Sequence, residues 1–159
     1  MEYTGIFDTH AHYDDERFDE DRDTVLGGLS EHGVSLVVDP ACDLKSCEAT
    51  LELSSKYKFI YSAVGVHPHS AESDGNEGYL DKVSEFAKNK KVVAIGEIGL
   101  DYHYDFSPRE KQIEVFSQQL ALANDLNLPV IIHDREAHAD TLELVQKYRP
   151  KGIIHCYSG

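Results

Sequence analysis

Val92-Val93-Ala94-Ile95-Gly96-Glu97 is an apolar run that stops at a carboxylate, and four other segments share its shape. They are Phe7-Asp8-Thr9-His10-Ala11-His12, Val130-Ile131-Ile132-His133, Gly152-Ile153-Ile154-His155 and Ala63-Val64-Gly65-Val66-His67-Pro68-His69. One histidine after a strand means little. Four or five such residues, each at the C-terminal end of a buried-looking strand, mean a converged site. In a barrel of parallel strands those ends open onto one face, where enzymes of that architecture do their chemistry.

Working outward, apolar β-branched runs fall near residues 5–9, 34–39, 59–66, 92–96, 129–132 and 152–155. They are continuous rather than alternating, as parallel strands buried on both faces require. Helical stretches separate them. Asp19 to Asp23 offer a carboxylate-rich first turn, Val25, Leu26 and Leu29 an apolar face, and Gly33 a stop. Leu44, Cys47, Leu51 and Ser54 space a second helix, and Tyr79 to Lys88 a third with Leu80, Val83 and Ala87 on one side. Ser107-Pro108-Arg109-Glu110 reads as a capping box with Pro108 at the first helical position. Ile113, Phe116, Leu120 and Ala123 then form a core-facing stripe. A fifth helix is expected from about His138 to Tyr148, with Leu142 and Val145 inward.

This alternation predicts an α/β fold of TIM-barrel type with right-handed crossovers. A barrel needs eight strands and about 250 residues. With 159 residues and six strand signals, the expectation is one domain over 1–159. It is either an open sheet or an incomplete barrel truncated after the sixth strand. The end at Tyr157-Ser158-Gly159, with no covering helix, favours the second. The exposed edges of the first and sixth strands would then be apolar templates for self-association.

The formal net charge of −14 gives no basic field to gather nucleic acid at long range. It does not exclude an enzyme whose bound metals supply local positive charge. Cys42, Cys47 and Cys156 are odd in number and lack CxxC spacing, so neither a disulfide framework nor a zinc knuckle is expected. Met1-Glu2-Tyr3-Thr4 is no signal sequence and no stretch reaches membrane-spanning length, so a cytoplasmic protein is expected.

His10-Ala11-His12 is the most specific local signal. In extended chain, residues i and i+2 point to the same side, so both imidazoles can grip one ion. Glu97 closes an apolar strand, where a carboxylate is expensive to bury unless a metal or cation pairs with it. His133 and His155 complete the candidate metal set; either alone is more commonly a satisfied core histidine. Around them lie candidate substrate contacts. His67 and His69 can donate to an anion, or Pro68 simply shapes a turn there. Arg135 can meet developing negative charge by a bidentate contact, or form a surface salt bridge with Asp134 or Glu136. Asp101 and Tyr102 are either orienters of the ligands or a plain loop turn.

Phe7 to His12, Gly65 to His69, Gly96-Glu97-Ile98-Gly99-Leu100-Asp101-Tyr102, Pro129 to Arg135 and His155-Cys156-Tyr157-Ser158-Gly159 together resemble the signature blocks of TatD-type metal-dependent deoxyribonucleases. The helix Gln112 to Ala123 fits that pattern as well. The resemblance covers essentially the whole chain and implies an amidohydrolase-like TIM barrel that hydrolyses DNA phosphodiesters, often from the 3′ end. It implies that His10 and His12 hold one divalent ion, that Glu97 bridges, and that His133 and His155 hold a second. Catalysis would fall to Glu97, Arg135 and His67, and substrate binding to His67, His69, Arg135 and Tyr102. The expected ions are Mg²⁺ or Mn²⁺, with Zn²⁺ or Ni²⁺ favoured by imidazole. DNA, single-stranded or at its 3′ ends, is the expected partner. The family's aspartate after an eighth strand has no counterpart before Gly159. The alternatives are a hydrolase of small-molecule amides or lactones, and an inactive metal-binding fragment. Single-stranded DNA binding is expected to be modest, because the aromatic candidates near the site are Tyr102, Tyr104 and Tyr157.

Overall fold

The structure, a computed structural model, describes residues 5–158; the Met1 to Thr4 start and Gly159 lie outside the described residues. Six strands form one parallel sheet in chain order: β1 (Ile6–Asp8), β2 (Val34–Pro40), β3 (Ile60–Val64), β4 (Val92–Asp101), β5 (Val130–Arg135) and β6 (Gly152–Ile154). Sequential parallel neighbours joined by helices are the TIM-barrel pattern the apolar runs predicted. β1 and β6 are the edge strands.

The helices are α1 (Arg22–Gly28), α2 (Leu44–Lys56), the one-turn α3 (Ala71–Asp74), α4 (Tyr79–Phe86), α5 (Arg109–Asp125) and α6 (His138–Tyr148). The main core lies where α2, α4, α5 and α6 meet the sheet, and includes Val64, Val66, Ile95, Ile98, Leu100, Phe116, Leu120 and Leu144. A smaller cluster of Val38, Ala63, Ala94 and Ile131 joins four neighbouring strands. No helix among the described residues is long and apolar enough to cross a membrane. All three cysteines are free.

Several local expectations shift. The first helix starts at Arg22 rather than Asp19, and after Gly28 it tightens into a 3₁₀ turn over Leu29–His32. Gly33 ends it in the left-handed region at φ 84°. The capping box at Ser107 does not form: Pro108 is the N-cap residue and no side chain caps α5. The Ser107 hydroxyl instead donates to the His69 carbonyl (3.0 Å) and accepts from the Glu72 N–H (3.1 Å), tying two loops together. The buried face of α5 keeps Phe116, Leu120 and Ala123, adds Val115, and takes Gln112 and Gln119 where Ile113 is only partly covered. On α6, Leu144 and Thr141 are the buried residues and Leu142 is 56% exposed, against the expected inward Leu142.

The strand β4 matters most. It runs to Asp101 rather than stopping at Gly96, so Gly99-Leu100-Asp101 is paired strand and not a loop turn. Ile95 pairs Val130 and Ile98 pairs Ile132, so β4 carries one residue more than β5 across this span. Such a bulge re-aims the side chains within it. The Gly96–Glu97 peptide is cis. Gly99 has φ 150°, and a Cβ there would lie 1.9 Å from the His133 carbonyl oxygen. Only glycine lets β5 approach this closely, and that approach brings His133 beside Glu97.

Candidate metal centre

Glu97 is 2% exposed, and imidazoles from three other segments converge on it. His10 Nε2 is 3.3 Å and His12 Nε2 3.5 Å from its Oε2, while His133 Nδ1 is 3.1 Å from Oε1. The Nε2 atoms of His10 and His12 are 2.9 Å apart and aim at the same oxygen, as the i, i+2 spacing predicted. The His155 ring stacks on His10 with centroids 3.5 Å apart, and its donor atom lies with those of His10 and Glu97 inside one 4.8 Å cluster. The five residues expected to hold metal are therefore in one place.

The cluster has the donor chemistry of a divalent-cation site. Glu97 makes no ion pair with a lysine or arginine among the described residues; its charge faces imidazoles alone. His10 Nδ1 is buried and has no partner. Burial opposes ionisation of Glu97, yet hydrogen bonds with His10, His12 and His133 outweigh it and hold the carboxyl well below its ordinary range. Burial likewise opposes charge on His12, but its contacts with Cys42 and Glu97 prevail and raise its pKa. A cation bound beside the carboxylate would displace the protons that His12 and His133 are biased to hold. The Cys42 thiol, 3.9 Å from His12 Nδ1, was not foreseen at the site.

Asp101, at the end of β4 and 0% exposed, organises the rim. Its Oδ2 accepts from His69 Nε2 (2.9 Å) and His133 Nε2 (3.0 Å), and its Oδ1 accepts the N–H groups of His103 (3.0 Å) and Tyr104 (2.9 Å). His133 thus spans two carboxylates, Glu97 through Nδ1 and Asp101 through Nε2. An outer carboxylate of this kind fixes ring orientation and tautomer. It also helps raise the His133 pKa against burial, after the larger contribution of Glu97.

The substrate candidates divide. His67 is buried with its ring 4.4 Å from that of His133, and burial pushes its pKa down to about 3, so it is neutral. Its Nδ1 accepts the His69 N–H at 3.2 Å, which leaves the proton on Nε2. Arg135 makes no salt bridge with Asp134 or Glu136, which pair with His138 and His103 at 2.8 Å each. Its guanidinium lies 4.7 Å over the Tyr104 ring. Tyr102 turns away toward α6: its hydroxyl donates to Asp140 at 2.6 Å and Arg109 covers its ring. Tyr157 lies against His138.

Two glutamines missed as positioning groups pin the strand ends. Gln119 accepts the Val66 N–H (2.7 Å) and donates to the Val66 carbonyl (2.9 Å), immediately before His67. Gln112 accepts the Asp101 N–H (2.8 Å) and donates to the carbonyls of Asp101 (3.1 Å) and Ser107 (2.8 Å). Their i, i+7 spacing on the Phe116 face was the available signal.

A parallel (β/α) sheet whose strand ends gather imidazoles around one buried carboxylate defines a TIM-barrel-type protein with a candidate metal centre. Within that class the sequence matches the family described as TatD related DNase over residues 7–159, and the chain belongs to it. A Bacillus subtilis relative, the uncharacterized metal-dependent hydrolase YabD, is 41% identical over 97% of this chain and 61% of its own length. The 3′-5′ ssDNA/RNA exonuclease TatD of Escherichia coli K12 is 33% identical over 97% of this chain and 60% of its own. The crystal structure of YJJV, a TatD homolog from Escherichia coli K12, superposes with a TM-score of 0.90 at 32% identity, covering 97% of this chain and 61% of that one. The chain thus spans about three fifths of the length of the relatives it matches.

Proposed function

We propose that this chain acts in metal-dependent hydrolysis of DNA phosphodiester bonds, trimming single strands from the 3′ end. The observation that carries the reading is Glu97, buried, ionised and ringed by His10, His12 and His133, with His155 stacked on His10. Family membership and a relative named as a 3′-5′ ssDNA/RNA exonuclease support nucleic acid as the substrate. In this reading His10, His12, Glu97, His133 and His155 hold two divalent ions, Mg²⁺ or Mn²⁺, with Zn²⁺ or Ni²⁺ accepted by the imidazoles. Divalent ions bound there supply Lewis acidity toward the phosphoryl group and make water acidic enough to attack near neutral pH.

The remaining work belongs to the chain. Glu97 would bring its negative charge to the cations held among His10, His12 and His133. Asp101 holds His133 and His69 in fixed orientation, so the donors need not reorganise as charge develops. His67, neutral with its proton on Nε2, donates to a phosphoryl oxygen without adding fixed charge. Arg135 meets the phosphate from the rim with the forked geometry that suits it.

The test is trimming of a labelled single-stranded oligonucleotide in Mg²⁺ and Mn²⁺ by the wild type and Glu97→Ala. Loss of activity with loss of Mn²⁺ binding is expected; unchanged trimming by the variant would sink the assignment. A parallel panel of small amides and lactones separates the other hydrolase reading, which requires their turnover while the oligonucleotide stays intact.

A further inference from the structure

The large apolar side chains left exposed fall into sets with different origins. Ile6 and Phe7 lie on β1, with Leu36 next to them on β2, and Ile153 and Ile154 lie on β6, so they cluster at the two ends of the sheet. Tyr104 and Phe106, 47% and 64% exposed, do not. They follow β4, an interior strand paired on both sides by β3 and β5. Their rings stack on each other with centroids 5.2 Å apart and planes 20° from parallel. His69 presents its ring to both, at 4.8 Å from Phe106 and 5.5 Å from Tyr104, and the Arg135 guanidinium covers Tyr104. The shelf is fixed at its root, because Asp101 accepts the Tyr104 N–H and also holds His69 and His133. A stacked aromatic pair is thus anchored to the same carboxylate that orients the candidate metal centre.

We propose that Tyr104 and Phe106 form a stacking platform for an unpaired base of a nucleic-acid strand, at the nucleotide adjoining the phosphate that Arg135 and His67 meet. The inference rests on the nucleic-acid reading above. A net charge of −14 offers a polyanion no long-range attraction, so affinity must come from short-range contacts. Aromatic rings suit every base because each base has a π-face, and an adjacent guanidinium adds a cation for the neighbouring phosphate. The platform selects single strands, since bases in a duplex are already stacked. Phe106, absent from the aromatic candidates expected from sequence, stacks on Tyr104, the one of the three expected tyrosines that stays on this shelf.

Stacking of one base corresponds to about a tenfold to hundredfold gain in affinity. The test compares two fluorescein-labelled oligonucleotides of equal length, one all thymidine and one abasic at its 3′-terminal nucleotides. Anisotropy in EDTA gives binding without hydrolysis, and trimming in Mn²⁺ gives KM and kcat. The wild type and Phe106→Trp are expected to prefer the base-bearing strand at least tenfold in Kd and KM. The variant Phe106→Ala, which leaves Arg135 on the Tyr104 ring, is expected to lose that preference while keeping its kcat on the abasic strand. Equal binding of both strands by the wild type overturns the platform, as does a preference that survives Phe106→Ala or no measurable binding at all. If trimming persists without base preference, only the platform fails. If the wild type trims neither strand, the nucleic-acid reading fails with it.

Discussion

Replacing Gln119 with leucine isolates the contribution of one buried side chain to both stability and site geometry. Gln119 is fully buried in α5, and it supplies a donor and an acceptor to the two backbone groups of Val66. Leucine has similar bulk and at least equal helix propensity, so the helix itself is not perturbed. What is lost is the partner of the Val66 N–H and of its C=O. Each buried backbone group left unpaired costs about 1–3 kcal/mol. The two together cost roughly 2–6 kcal/mol, offset by about 1 kcal/mol from the added apolar burial. The expected net loss of roughly 1–5 kcal/mol is a large part of a typical domain stability of about 5–15 kcal/mol. Urea unfolding followed by far-UV circular dichroism in EDTA reads it directly, with the slope m unchanged. Because Val66 precedes His67, the variant should also trim more slowly. A stability loss under about 0.5 kcal/mol at unchanged m would refute the claim that α5 pins the segment leaving β3 through this amide.

Two further perturbations address the site from other directions. Gly99→Ala would put a Cβ 1.9 Å from the His133 carbonyl oxygen at a backbone φ of 150°, so β4 and β5 must separate. Overpacking and backbone strain each cost about 1–3 kcal/mol, and Mn²⁺ binding should be lost together with the thermal midpoint; a variant with wild-type Tm and Mn²⁺ affinity would show that the close approach is unnecessary. Asp39 is buried near Asp14 with one unpartnered oxygen, and burial, with Asp14 adding to it, pushes its pKa up to about 7. A raised carboxyl stabilises the fold fully below its unfolded value of about 3.9, and that contribution disappears as pH rises through about 7. In EDTA, wild-type stability should therefore fall between about pH 4 and 7 relative to Asp39→Asn, and parallel pH profiles of the two would count against it.

The strands were legible because each is an uninterrupted apolar run, and burial on both faces permits little else at these positions. The histidines were legible because their places at strand ends follow from that pattern alone. Helix registers were harder. Leu142 and Leu144 are both leucines on one helix, and only the actual packing of α6 leaves the first exposed and buries the second. The Ser107 cap failed because its hydroxyl has a tertiary use, bridging His69 and Glu72, that competes with the local one. Gln112 and Gln119 share a helical face with Phe116, but their role as anchors shows only through backbone partners separated by 11 and 53 positions. Phe106 gives no sequence signal because an aromatic in a polar loop carries no period.

The least legible feature is also the one that gives the site its depth. Sequence placed Glu97 at the end of its strand, as though every ligand stood at one level. The strand instead continues to Asp101, and the extra residue of β4 between Ile95 and Ile98 turns Glu97 inward beneath the rim. Two carboxylates four residues apart then face His133 at two heights, the inner through Nδ1 at 3.1 Å and the outer through Nε2 at 3.0 Å. A neutral histidine can donate from one nitrogen only, so a cation at the Glu97 level would take the lone pair of Nδ1 while Nε2 donates to Asp101. Without the bulge, the two carboxylates would share one face of a flat strand and compete for the same imidazole. With it, one carboxylate is free to meet the cation and the other fixes the proton.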